Sequence, residues 1–258
     1  MEVAHGDNPM DGSRRRRRGQ SQGGHQTNTA RQTPPQMRSL RASTPVMLSD
    51  AALVCKHWPD RSRRGPFARQ DGVLSPIMQK IMIIRHAEKH QHGSHGRGVT
   101  EDGRPARHEL TVRGWQRAAA LVHFFAPIGA ASAGSPIQPP QTIFASNATK
   151  QSPSLRAMHT VGPLAATLGI QVNHDFAEDQ EPALAAALCA VPSPVLIAWH
   201  HGHIARLAKE IAGPHLPCPG HWPDERFDLV WILDRHGCDW SFSQVAQCLL
   251  PDDRPGVF

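Results

Sequence analysis

The stretch Lys80-Ile81-Met82-Ile83-Ile84-Arg85-His86-Ala87-Glu88-Lys89 decides how the chain is read. Residues 80–84 form a short, largely β-branched apolar run, the composition of a strand buried on both faces of a parallel sheet. The chemistry changes abruptly at its tip, where a guanidinium and an imidazole arrive together. In open α/β sheets, ligands bind at the carboxyl ends of the strands. The functional reading therefore depends on whether other strands deliver matching groups to the same edge.

Downstream, Thr111 opens a helical pattern with apolar residues at Val112, Trp115, Ala119, Val122 and Phe125. Thr142–Ala145 reads as a second strand. Pro153–Leu168 reads as a helix, with Pro153 in its first turn and Gly169 as its stop. Glu181–Leu188 is a short Ala-rich helix, Pro194–Trp199 a third strand, and Gly202–Ala212 a helix ended by Gly213-Pro214. Asp228–Leu233 is a fourth strand. Trp240–Leu249 alternates and pairs with it as a hairpin across His236-Gly237-Cys238. Strands alternating with helices predict an α/β fold, a three-layer sandwich around a mostly parallel central sheet. No internal repeat is found.

The folded domain is expected over residues 78–250, with 251–258 as a tail. Residues 1–77 carry the Arg14–Arg18 run, Pro34-Pro35 and Gly/Ser/Gln/Thr stretches, with almost no apolar period. Such a segment buries too little apolar area to offset its chain entropy, so it reads as a disordered, basic, low-complexity extension. The other reading is an over-long gene start, with the working start at Met78. The apolar stretch Val46–Cys55 is too short and interrupted for a secretory signal. No apolar run approaches the ~18 residues of a membrane span.

Charge separates the two regions. The 258 residues hold 28 Lys+Arg and 22 Asp+Glu. Of these, 13 and 6 lie before residue 78, leaving 15 and 16 in the folded part. The basicity thus belongs to the extension, and the domain lacks the basic face of a folded nucleic-acid binder; only the run at 14–18 would serve that role. Five cysteines are scattered without a CxxC, which fits a reducing compartment and a cytoplasmic location.

The groups that follow the strands are alike. The first strand ends in Arg85-His86 and the third in His200-His201-Gly202, while the second leads through Ser146 toward a helix bearing Arg156. Any one of these alone reads as a polar turn, a helix cap or a solvated helix residue. Together they put guanidinium and imidazole on one edge with few acids, which is an anion site, and Arg forks match phosphate oxygens. The loop from His90 to Glu109 is long, polar and Gly-rich, adjoins His86 in sequence, and is expected to cover the pocket. Its His90, His92 and His95 raise a rival metal reading, weakened because no carboxylate or thiolate stands at a defined spacing.

These motifs resemble the histidine phosphatase superfamily, with its phosphoglycerate mutase-like fold, and in particular a small subgroup with the Arg-His-Ala-Glu-Lys variant at residues 85–89. Leu110-Thr-Val-Arg-Gly-Trp-Gln-Arg-Ala118 is similar to the family's Leu-Thr-x-x-Gly-x-x-Gln-Ala helix start. Ser146, Arg156-Ala-Met-His-Thr160 and Pro163-Leu-Ala165 follow in the family's order, as do Val195–Gly202 and Trp222–Trp231. The resemblance spans residues ~78–250. Ala87 departs from it by standing where the family usually has Gly.

The resemblance implies a metal-independent phosphatase acting on a phosphorylated small molecule or a phosphoprotein, phosphohistidine included. His86 would be the nucleophile. Arg85, Arg156 and a protonated His201 would hold the phosphate, with His200 as the alternative register; continued strand alternation would let only one of the two face the pocket. Covalent catalysis divides one hard displacement into two easier ones. No cofactor and no metal are implied, because Arg and His supply the positive charge. The proton donor would be Glu178, Asp175 or Glu88, Glu178 first, with Glu88 reading more as orienting the loop. The alternatives are a phosphoglycerate mutase-type phosphotransferase, or a catalytically idle module that binds a phosphorylated ligand.

Overall fold

The computed structural model describes residues 78–90, 96–129 and 134–258. The expected extension 1–77 lies outside the described residues. Five strands form one sheet in the order β2-β3-β1-β4-β5: β1 (Met78–Arg85), β2 (Thr142–Ala145), β3 (Val195–Trp199), β4 (Leu229–His236) and β5 (Asp239–Ala246). The helices are α1 (Val112–Phe125), α2 (Arg156–Leu168), α3 (Glu181–Ala187) and α4 (His201–Ala212). A single 3-10 turn, Leu188–Ala190, follows α3.

Strand alternation builds the three layers. Met82 and Ile84 of β1 face a cluster with Leu121 and Phe125 of α1 and Val161 and Leu164 of α2. Ile81 and Ile83 face the opposite cluster, with Leu184 of α3 and Ile204 and Leu207 of α4. Each fully buried side chain of this size contributes about 1.5–3 kcal/mol. Among the described residues, no helix is long and apolar enough to cross a membrane.

The expectation of a mostly parallel sheet is corrected: the sheet is mixed. β3 runs parallel to β1 and β2, but β4 is antiparallel to β1, and β5 antiparallel to β4. The cause is the segment between α4 and β4. The helix α4 already carries the chain back from the carboxyl edge of β3, and the four prolines of the segment that follows, Pro214, Pro217, Pro219 and Pro223, keep that segment non-helical. Instead of turning directly into a parallel strand, the chain returns along the domain, burying Leu216, Trp222 and Phe227. It enters β4 at the end where β1 finishes, with Val230 opposite Ile84. The hairpin from β4 to β5 turns at Gly237, whose φ is +64°.

The α2 helix begins at Arg156, three residues later than the sequence predicts. Thr149 and Ser152 close a turn on each other, which holds Pro153 outside the helix. Gly169 ends α2 in the left-handed conformation, φ +66°. The residues after Leu250 are tied down: Asp253 accepts from Arg117, and the carbonyls of Arg254 and Gly256 accept from Arg226.

Candidate active site

The ends of β2, β3 and β1 lie side by side, so their following residues meet at one edge. The amide of His86 donates to the carbonyl of Trp199 at 3.1 Å, and the amide of Ser146 to that of Ala198 at 3.1 Å. The loop after β1 is pinned on both flanks. Thr160 accepts from the Ala87 amide at 2.8 Å and donates to the Arg156 carbonyl at 2.7 Å, which binds the first turn of α2 to this loop. On the other side, Thr111 caps α1 and its amide donates to the Glu88 carbonyl at 2.9 Å. Gly114 permits that approach, since a Cβ there would stand 2.5 Å from the Glu88 oxygen. The methyl of Ala87 is fully buried with Leu110 and Ala118, so the departure from Gly is absorbed by packing.

His86 is 3% exposed, and its Nδ1 lies 2.8 Å from its neighbour Ala87's carbonyl oxygen. A carbonyl only accepts, so Nδ1 carries the proton and the neutral ring keeps its lone pair on Nε2. Nε2 is buried and has no hydrogen-bond partner among the described residues. Burial, then the charges of Arg85 and Arg156 and the neighbouring His200, hold this imidazole well below the usual histidine pKa.

Arg85 is 1% exposed and donates to the carbonyls of Asp224 and Arg226. Its guanidinium carbon lies 3.8 Å from the centre of the Phe227 ring. Desolvation lowers its pKa to about 10, so it stays charged at neutral pH. Arg156 donates to the carbonyls of Arg107 and Glu109 and to Ser154 Oγ. The described end of the His90–Glu109 loop therefore lies against Arg156. Among the described residues both guanidiniums are held by backbone carbonyls, with Ser154 Oγ added at Arg156, and not by carboxylate hydrogen bonds, which leaves their charge available to an anion.

His200 and His201 both belong to this neighbourhood. Alternation stops at Trp199, and His200 is the cap of α4, so both rings gather on one side with centroids 4.5 Å apart. The centroid of His200 is 5.9 Å from that of His86. His201 Nε2 reaches Asp224 at 3.0 Å. Burial, with Arg85 next, lowers His201 to about 4. At neutral pH that leaves it a neutral hydrogen-bonding group, and the protonated form expected against a bound phosphate needs the dianion's own charge.

The three candidate acids separate clearly. The segment after α2 runs beside β2, with the Ala145 amide donating to Asn173 and the Asn147 amide to Phe176. That path leaves Asp175 exposed and carries Glu178 to the functional edge. Glu178 accepts from Ser152 Oγ at 3.2 Å and is half-buried near His200. Glu88 is committed elsewhere: Arg117 grips it at 2.8 Å and Arg113 at 3.2 Å, so it orients the loop.

Three residues were not assigned a role from sequence. Lys89 is half-buried, and its pKa is lowered by burial and by Arg85 and Arg156. Asp224 and Phe227 flank Arg85. Lys89 stood in the quoted motif, but nothing in residue type marked the other two. A cavity of about 480 Å³ adjoins the edge; Lys89 and Phe227 line it together with Arg97, Arg113 and Asp252. Of the tract that raised the rival metal reading, His92 and His95 lie outside the described residues. Potential ligand atoms lie within 4.8 Å of one another in two overlapping groups, Glu178 with His200 and His203, and Asp179 with Glu181 and His203.

No protein-family model matches the chain, and no curated protein matches it. Among solved structures it is similar to a candidate alpha-ribazole-5'-P phosphatase from Escherichia coli K-12 MG1655, at 15% identity and a TM-score of 0.36. That likeness covers 67% of this chain and 99% of the other. At this score the likeness carries no weight, and the chemistry rests on the residues themselves.

Proposed function

We propose that the chain is a phosphatase of the histidine phosphatase type, hydrolysing a phosphomonoester or a protein phosphohistidine through a phosphohistidine on His86. One observation carries this reading. A buried imidazole has its Nδ1 proton committed to a carbonyl and its Nε2, among the described residues, unpartnered, beside two arginines that make no carboxylate hydrogen bond among those residues. That combination suits a neutral nucleophile facing a dianion.

Nε2 of His86 attacks phosphorus in line with the leaving oxygen. The N–P bond forms, the P–O bond breaks, and Glu178 gives its proton to the departing oxygen. A water then surrenders a proton to Glu178 and attacks phosphorus, the N–P bond breaks, and phosphate departs. Arg85 and Arg156 hold the equatorial oxygens, where positioning and charge do most of the work in phosphoryl transfer. His201 keeps Nε2 on Asp224, and an arriving phosphate dianion raises its proton affinity, so that the protonated ring gains a second donor for the phosphate. Lys89 adds charge at the rim.

Acid-labile, base-stable phosphate trapped on His86 after a rapid quench is the decisive test. His86→Ala should lose both the trapped phosphate and turnover of an aryl phosphate while keeping a cooperative melt. Full turnover in that variant would end the reading. Transfer to a second phosphate acceptor instead of water would favour a mutase-type reaction.

A further inference from the structure

The wall of the site carries ligand chemistry that phosphoryl transfer does not use. Glu178, His200 and His203 each offer a ligand atom within 4.8 Å of the others. His200 caps α4 and His203 follows three residues later, with ring centroids 5.8 Å apart. Two imidazoles and a carboxylate form a ligand set that suits zinc and similar borderline divalent ions.

Each of the three has spare capacity. His200 Nδ1 is shut off from solvent and has no hydrogen-bond partner among the described residues. A buried polar atom left unmade is costly, and a metal ion would relieve it. Glu178 has one oxygen on Ser152 Oγ, so the other is free to ligate. His203 Nδ1 lies 3.1 Å from Glu181 Oε1, and Glu181 is itself fully buried and held by the Trp199 indole. A carboxylate fixing one ring nitrogen orients the imidazole and leaves Nε2 for a metal. The overlapping group of Asp179, Glu181 and His203 is the poorer choice. Trp199 and the Asp179 amide already engage Glu181 Oε1, and Arg206 stands 3.5 Å from its other oxygen.

We propose that Glu178, His200 and His203 bind a zinc-class divalent cation, and that the bound ion switches the phosphatase off by withdrawing the proton donor and a pocket imidazole. Three protein ligands leave one tetrahedral position for water. The inhibitory effect rests on the phosphatase reading; the binding does not.

Calorimetry of the metal-free full chain with Zn2+ alone tests the site. His203→Gln, which keeps a donor for Glu181, should weaken binding by about ten-fold or more. Its metal-free turnover should be unchanged and should resist zinc concentrations that inhibit the wild type. His203→Asn serves the same purpose if the Gln variant does not melt cooperatively. A double variant, His92→Ala with His95→Ala, should keep the site. Zinc affinity that survives His203 substitution, or is lost only in the double variant, would overturn the site. Binding at His203 without inhibition would overturn the switch. Absence of turnover toward any phosphate ester would sink the phosphatase reading and the switch with it, while calorimetry still decides the metal site.

Discussion

The ring of His86 donates from Nδ1 to the carbonyl of its own neighbour Ala87, 2.8 Å away, and so fixes its tautomer within one residue of chain. The orientation of this imidazole is therefore a property of the β1 terminus and not of a distant partner. Its neutrality has a pH consequence. Burial and two arginines lower its folded pKa, so below the unfolded value of about 6.5 the unfolded chain binds a proton that the folded chain refuses. Stability must fall as pH drops from 7 to 5, by at most about 1.4 kcal/mol per pH unit from this group. His200 and His201 shift in the same direction and add to the slope. Melting temperature against pH reads it, and His86→Gln should flatten the curve. An unchanged slope would contradict a neutral buried His86.

Glu178 as proton donor predicts a dependence on the leaving group. Glu178→Gln should slow hydrolysis of an alkyl phosphate by about 10²–10⁴-fold, the usual range for general acid catalysis. A nitrophenyl phosphate should suffer much less, because its leaving oxygen departs as a stable anion. Asp175→Asn should match the wild type on both substrates. Equal losses for both esters in the Glu178 variant would remove it from the acid role.

What the sequence revealed and what it hid follow from the range of the interactions. Ile81–Ile84 and the Arg85-His86 tip are local, so strand and chemistry were legible together, as was the Thr111 cap of α1. Glu178 and Asp175 lie three residues apart in irregular chain. Only the pairing of that chain alongside β2, through Asn173 and Phe176, separates them. The capping of Arg85 by the Asp224 and Arg226 carbonyls spans about 140 residues and uses atoms every residue possesses, so no residue type announces it. The direction of β4 was hidden for a related reason: it depends on where the proline-rich return segment ends, not on the strand's own composition.

Gly114 and Gly162 give a matched pair of substitutions. A methyl at Gly114 would stand 2.5 Å from the Glu88 carbonyl oxygen and 3.1 Å from its amide nitrogen, both backbone atoms that cannot swing aside. Gly114→Ala should cost about 1–3 kcal/mol, as overpacking does, and lower turnover by shifting the loop that bears His86. Nothing lies within 4 Å of a methyl at Gly162 inside α2. Gly162→Ala should therefore gain about 0.5–1 kcal/mol from helix propensity with turnover unchanged. Denaturant midpoints and aryl phosphate turnover on the two variants check both signs.

Arg117 joins three parts of the domain that are far apart in sequence. Its side chain is 2% exposed, and it pairs with Glu88 at 2.8 Å and Asp253 at 2.7 Å and donates to Gln247 at 2.9 Å. The two carboxylates are themselves largely shielded from water, so removing the guanidinium leaves two acids to the half-exposed Arg113, 3.2 and 3.5 Å away, rather than returning them to solvent. Breaking a buried pair in this way costs about 3–5 kcal/mol, far above the worth of an exposed ion pair. Arg117→Ala should lose about that much stability, and Arg117→Lys should recover only part, since one ammonium cannot reproduce a fork shared between two acids. Replacing all three charges together, Arg117→Met with Glu88→Gln and Asp253→Asn, should cost less than Arg117→Ala alone, because the one charge then left without a carboxylate, Arg113, is 38% exposed and stays solvated. A triple variant as unstable as the single one would show that the network is held by its hydrogen bonds and packing rather than by balancing buried charge.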